Sequence, residues 1–557
     1  MFDIFDGLGS ELRFAFRSRA PRSPRFDVVK FEGREAISAL FRFEITLVSR
    51  EVNADLQSLI SHPATLAIRT ATGQSYTPYH GMLSEAEQLG QVDDYVFYRV
   101  VLVPRLAALA LTHINEIYLG ERSIPSLIGD LLRDHGLGNS DVQMNLRNPF
   151  SYRSRTFVCQ YQETHLDFIS RWMEKEGLYY FFDHEPRGGF PTYELFEHER
   201  MVITDHAQAH PDQALALDYV PPENVQTVRL EQAVSSFVWR RRQVPNKVIV
   251  QDYNYRNAAL ADDLRAESGV DRGASGQVMY YGDNLRTTSE AERLARVRSE
   301  QLECEAETFE GEASAVGIRS GHFLALSRHF RDECNGRFLV TRVQHRGSQV
   351  GVVLAGQTTR YAEGETGSTY QARFSAQRAS QQFRAQAVTP RPQVAGFLSG
   401  VIDSEGLGNS AELDEYGQYK VQMLFDLSGK RASKGSAWVR MASPYAGDGH
   451  GMHFPLLKGT EVVIGFAGGD PDQPVILGAV TNSENRNVVV DKNARHNRMK
   501  SVSGNYITLS DAPLSRHIAM QTPSTGDFSY MGELVIPPPP EPDAGPDVAQ
   551  LASMLGI

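Results

Sequence analysis

The nearest approach to a metal site is HGMH, in which His450 and His453 follow Asp448 closely. Two imidazoles and a carboxylate could hold zinc, but a zinc site needs further ligands at a defined spacing and none follows. The flanking glycines read instead as a loop. Glu163, Glu174, Glu176 and His184 are of the types that serve as general acid and base. Glu174 and Glu176 stand two apart on an expected helix and so face different sides, which predicts solvated charges. YYFF, Tyr179 to Phe182, could stack sugars or bases, yet in a strand it alternates faces, which favours core packing. No G-x-S-x-G, P-loop, HExxH or GxGxxG after a strand occurs. Cys159, Cys304 and Cys334 are odd in number and far apart, so buried thiols are expected rather than a zinc ribbon or disulfide framework. These residues predict no catalytic site, no metal and no cofactor.

The elements that must position them are mainly short strands. Phe26 to Phe31, Phe41 to Val48 and Tyr95 to Val103 read as β by alternation or by β-branched and aromatic content. Ser123 to His135 reads as a helix, capped by Ser123 with Pro125 in its first turn. A second helix runs from Thr164 to Glu176, with Gly177 as its stop and the strand LYYFFDHE following at once. A third starts at the N-cap candidate Ser289 and turns Leu294, Val297 and Leu302 toward a core. GIRSGHFLALS and GRFLVTRVQH return to strand. Residues 366–394, rich in Gln, Ser, Ala and Arg, read as a linker with a polar helix around Tyr370 to Ala385. From Gly396 to Asn482 strand signals separated by Gly, Asp and Pro describe a small β-barrel. In it GTEVVIGF places Val462, Ile464 and Phe466 on one face, and GGDPDQP is a turn by its chemistry.

Beyond Asn482 the chain is polar. VSGNYITL, Val502 to Leu509, alternates, and the run PPPPEP reads as an extended spacer. In the last residues Asp547 can cap a helix with Gln550 completing a capping box. Val548, Leu551, Met554 and Leu555 then share one face, a partner-binding stripe too short to be a stable helix alone.

Composition bounds the function. A chain of 557 residues predicts three or four units. Its 41% hydrophobic and 22% charged content is that of a folded, water-exposed protein. A formal net charge of −12 argues against nucleic acid as a general partner. No apolar run is of secretory type or long enough to span a bilayer.

Two blocks carry a resemblance. YQETHLDFISRWMEKEGLYYFFDHE, Tyr161 to Glu185, joins an aromatic and a Glu to an amphipathic helix, then EG and an aromatic strand. The second, Asp414 to Asn482, contains SAWVRMASPYAG and GTEVVIGFAGGDPDQPVILGAVTN. Both resemble the VgrG family, the trimeric spikes of type VI secretion systems, related to hubs of contractile phage tails. One departure is Leu424 and Phe425 in a strand where the family often carries Trp, a change of packing.

The resemblance implies a mainly β fold with some helices. Residues 1–365 would form a phage-hub-like domain of two β-barrel-like subdomains, followed by the 366–394 linker and an OB-fold domain over 395–483. Residues 484–533 would form a short β-prism or β-helix needle, ahead of a proline-rich tail over 534–557. It further implies a homotrimer that caps a hexameric tube protein, meets baseplate proteins, carries a PAAR-type tip protein and an effector or its adaptor, and is not itself an enzyme. Such a spike is assembled in the bacterial cytoplasm and expelled into a target cell or the medium. A phage-like tail hub or an effector-bearing enzyme are the alternatives.

Overall fold

The computed structural model describes residues 12–60, 62–70, 72–73, 75–184, 198–221, 233–354, 367–406, 408–429 and 434–533. They form two compact units. The first comprises Met1–Ile114, Glu121–Arg155 and Gln162–Arg391, and the second Asn115–Gly120, Thr156–Tyr161 and Pro392–Ile557.

Two closed barrels dominate the first unit. The strands Phe14–Ser18, Pro63–Arg69, Tyr76–Val92, Tyr95–Val103, Arg42–Ser49 and Asp27–Ala36 pair in that order, and Ala15 opposite Asp27 closes the ring. A second ring runs Gly336–Ser348, Phe323–Ser327, Ala214–Tyr219, Ala233–Arg241, Glu307–Ala313 and Thr369–Arg378, closing on Gly336–Ser348. The barrels share an antiparallel seam from Arg342 opposite Ala36 to Ser348 opposite Lys30. Closure removes the sheet edges that would otherwise pair with other chains.

Alternation decides what fills the rings. Glu307–Ala313 and Thr369–Arg378 bury every second side chain along most of their length. The second ring is filled by Phe237, Phe309, Phe338 and Phe374 in mutual ring contact. The strand Thr369–Arg378 replaces the helix expected around Tyr370 to Ala385. Tyr370, Ala372, Phe374 and Ala376 face inward at period two, and ladders on both sides outweigh the helix-compatible composition.

The helices cap as their residues dictate. Thr164 accepts a hydrogen bond from the Asp167 amide at the start of His165–Glu176, and Gly177 ends it at φ 77°. Ser123 caps Ile124–Asp134 in the same way. The third helix spans Thr288–Ala306, and its cap is Thr287 rather than Ser289. Thr287 stands three residues before Glu290, whose amide it binds, whereas Ser289 already lies inside the first turn. This helix packs on a three-stranded sheet through Leu294, Ala295 and Ala291.

In the second unit five strands close a barrel, in the order Phe397–Ile402, Tyr419–Met423, Ser436–Met441, Pro474–Ala479 and Glu461–Phe466. Its core holds Val421, Val439, Val462, Ile464 and Ile476, joined by Ile117, Cys159 and Tyr161. Phe425, in the stretch where members of the resembling family often carry a Trp, packs edge-on against Tyr161. A four-stranded antiparallel meander follows, His496–Lys500, Tyr506–Ala512, Ser515–Thr522 and Asp527–Gly532.

Candidate functional site

The four acid–base candidates are buried, contrary to the solvated charges expected of them, and each has its own partner. Arg171 grips Glu163 with two hydrogen bonds of 2.7 Å. Glu174 accepts from the hydroxyl and amide of Thr389. Glu176 takes Arg155 at 3.1 Å and Arg293 on its other oxygen. His184 accepts the His80 amide at 3.0 Å through Nδ1. Folding therefore gives each of these groups a partner of its own.

Their electrostatics follow from burial and partners. Burial alone would raise the Glu176 carboxyl, but Arg293 and then Arg155 outweigh it and hold it at about 2. Burial raises Glu174 against the bonds from Thr389. His184 is driven well below the ordinary imidazole value, first by burial and then by Arg319. The aromatic strand Tyr179–Asp183 is buried on both faces, as core packing requires. His210 stacks on Phe181 and on Tyr179.

His450 lies in an exposed two-residue strand, where its Nδ1 donates to the Asp448 carbonyl at 2.9 Å. His453 stacks on Tyr419. Among the described residues no group of three His, Cys, Asp or Glu is arranged to hold a metal ion. The three cysteines are thiols, with Cys159 and Cys334 buried.

The GGDPDQP turn has a use that its chemistry did not reveal. Gly468 and Gly469 adopt positive φ, as the turn requires. Asp472 then accepts the Cys159 amide at 2.7 Å, and Asp426 accepts the Ile117 amide at 3.2 Å. A network of Glu35, His345, Tyr370, Tyr79 and Ser320 inside the barrels was also invisible in the sequence. Its members lie 25 to 310 residues apart, so no local spacing marks them.

The meander inverts the usual arrangement of a surface sheet. Met499, Leu509, Ile518, Met520 and Met531 project to solvent from one face. On the other face Thr508, Ser510 and Ala519 are buried, and His517 stacks on Tyr530. A hollow of about 960 Å³ is lined by Phe454, Val488, Met499, Ile507 and Met520, with Tyr506 and Phe528 of the opposite face. Val548, Leu551, Met554 and Leu555 lie outside the described residues. No described helix is long and apolar enough to cross a membrane.

Two closed barrels in one unit and a five-stranded barrel followed by a β-meander in the other define a tail-hub and spike class of protein. The profile of the phage tail baseplate hub (GPD) family matches residues 34–351, and that of the type VI secretion system/phage-baseplate injector OB domain matches 410–480. The type VI secretion spike protein VgrG5 of Pseudomonas aeruginosa is 32% identical over 471 residues, 83% of this chain and 56% of its own length. VgrG1a of the same organism is 30% identical, covering 82% of this chain and 67% of its own. The E. coli c3393 protein, a type VI secretion component, superposes with TM-score 0.58 at 22% identity over 84% of this chain and 99% of its own. A chain of a Francisella PdpA–VgrG complex does so with TM-score 0.58 at 10% identity over 88% and 73%.

The chain belongs to the VgrG spike proteins within the phage tail baseplate hub family. It spans little more than half the length of VgrG5 and two thirds of VgrG1a.

Proposed function

We propose that this protein is the trimeric spike of a type VI secretion system, capping the hexameric tube and puncturing target envelopes while carrying effectors. The observation that carries this reading is the apolar face of the meander. Side chains such as Met520 and Ile518 gain nothing in water, and an apolar face of this kind marks an interface. Three copies of the meander, packed apolar face inward, make a closed prism with no edge left over. In this reading residues 484–533 are each copy's share of the needle. The first unit supplies the hub, meeting the tube and the baseplate proteins.

The work comes from sheath contraction, so the spike needs rigidity and no catalysis of its own. The individually fixed carboxylates of the first unit support that reading. One matching relative is the actin cross-linking toxin VgrG1 of Vibrio cholerae, but the match covers only 40% of it. The stripe Val548, Leu551, Met554 and Leu555 is proposed as the docking peptide for a PAAR-type tip protein, an effector or its adaptor. Deleting residues 547–557 should leave the trimer intact and cost one partner in a pull-down. A trimer that keeps every partner removes this role for the tail.

Mass photometry of the full chain tests the main reading. Three copies of 62.0 kDa should give about 186 kDa (3 × 62.0). A monomer at micromolar concentration would refute the spike.

A further inference from the structure

The side chains that fix Glu176 bring more positive charge to one place than the carboxylates there balance. Four guanidinium groups, those of Arg153, Arg155, Arg286 and Arg293, gather on two carboxylates, Glu176 and Glu290. Arg155 Nη2 donates to Oε1 of Glu176 at 3.1 Å and to Oε1 of Glu290 at 3.2 Å. Arg293 takes Oε2 of Glu176, and the Arg286 amide donates to Oε2 of Glu290 at 3.1 Å. Every carboxylate oxygen of the cluster is then engaged, and two cations are left over.

Those two are Arg153 and Arg286. Arg153 donates through Nη2 to the Asn284 carbonyl at 3.0 Å. Its Nε, 3.3 Å from Glu290 Oε1, and its Nη1 are buried and make no hydrogen bond. The Arg286 guanidinium has neither a hydrogen bond nor an ion pair among the described residues. The acids nearby are committed elsewhere. Asp283 faces Lys175 and Arg391, and Asp252 accepts the amides of Tyr253 and Leu285. Burial, then Arg155, pushes Arg153 down to about 9, and Arg286 adds to that repulsion. Buried donors without acceptors and like charges side by side both cost free energy, and one anionic acceptor between them removes both costs.

We infer that Arg153 and Arg286 form a binding site for a phosphate group, carried by free phosphate or by a phosphate monoester. A tetrahedral oxyanion accepts on several sides at once, so a single group serves both planar guanidinium forks. At about −1.5 to −2 near neutral pH it also matches the charge left over, with Glu176 and Glu290 already counted. Chloride and acetate each bring half of that. Arg286 is half-buried and the Arg153 side chain is 17% exposed, so the site is recessed, which suits a small solute over the surface of another protein.

Isothermal titration calorimetry of the full chain with sodium phosphate, at fixed ionic strength and with sodium acetate as control, tests this. Wild type should bind a single phosphate per chain and give no such heat with acetate. Methyl phosphate should compete if the source is a monoester, and should not if the site closes around the free ion. Arg286→Met should weaken phosphate binding roughly tenfold or more, and Arg286→Lys, which keeps the charge but not the fork, should weaken it less. Urea unfolding in phosphate-free buffer separates binding from folding. Arg286→Met should unfold at no lower a midpoint than wild type, because it removes an unbalanced cation. Added phosphate should raise the midpoint of wild type but not that of Arg286→Met. No heat beyond that of acetate, the same phosphate affinity in Arg286→Met, or a midpoint lowered by that variant without phosphate would each overturn the proposal. None of these outcomes touches the needle face, so the proposal can fail while the spike reading stands.

Discussion

Glu176 keeps its charge where burial would neutralise it, because two guanidinium groups sit on its two oxygens. Its value falls from 4.5 to about 2 on folding. The stability it contributes is therefore complete above pH 4.5 and is lost as pH falls toward 2. The size is about 3 kcal/mol. Glu176→Gln should lower the free energy of urea unfolding at pH 7 by about that amount, and the difference from wild type should shrink at pH 3. An equal loss at both pH values would show that the pair is not what holds the charge. His184 acts in a different window. Its folded value lies below 6.5, so the unfolded chain takes the proton first and stability begins to fall once pH drops below 6.5. None of this was legible in the sequence. Spacing places Glu174 and Glu176 on different sides of a helix correctly, but Arg155 and Arg293 lie 21 and 117 residues away.

Single positions also decide whether elements fit together. Gly321 has φ +77°, and a Cβ there would come within 2.5 to 2.7 Å of the Phe181 side chain. Gly321→Ala should cost about 2–4 kcal/mol from strain and overpacking, read as a lower urea midpoint with unchanged slope. Gly129, inside the helix Ile124–Asp134, has only the tip of Arg133 near its added Cβ. Gly129→Ala should therefore stabilise by about 0.5–1 kcal/mol. Equal effects at the two glycines would contradict the packing described. The helix His165–Glu176 was legible at its end, where Gly177 supplies the stop, while Thr164, read as its first residue, is its cap. The strand Thr369–Arg378 was misread because Gln, Ser, Ala and Arg suit a helix. Its inward Tyr370, Ala372, Phe374 and Ala376 gave a period of two that composition masked. Tertiary context completes the case, since the Phe374 ring occupies the space left by Gly311.

At the scale of the molecule, the small barrel was legible because its turns and alternating strands are local. The closure of the two larger rings was implied by the resemblance alone, since it depends on pairings between separated segments such as Phe338 with Arg378. The meander lies between these cases. VSGNYITL gave one of its strands, but which face would be bare depends on the register of Ile507 against Met520 and of Leu509 against Ile518. That register makes the final prediction sharp. Ile518→Asp with Met520→Asp puts two charges on the exposed face without touching the backbone ladder or the buried Ala519 between them. A single chain should therefore fold as before, and Trp172 and Trp239, both in the first unit, should report unchanged fluorescence. Three chains packed through that face would bury six carboxylates (2 × 3) without partners, at several kcal/mol each. Mass photometry at nanomolar concentration should then show 62.0 kDa particles in place of the trimer, while Met520→Leu, which keeps the apolar volume, should remain trimeric. A double variant that stays fully trimeric would mean that the copies meet through some other surface, and the bare face of the meander would need a different occupant.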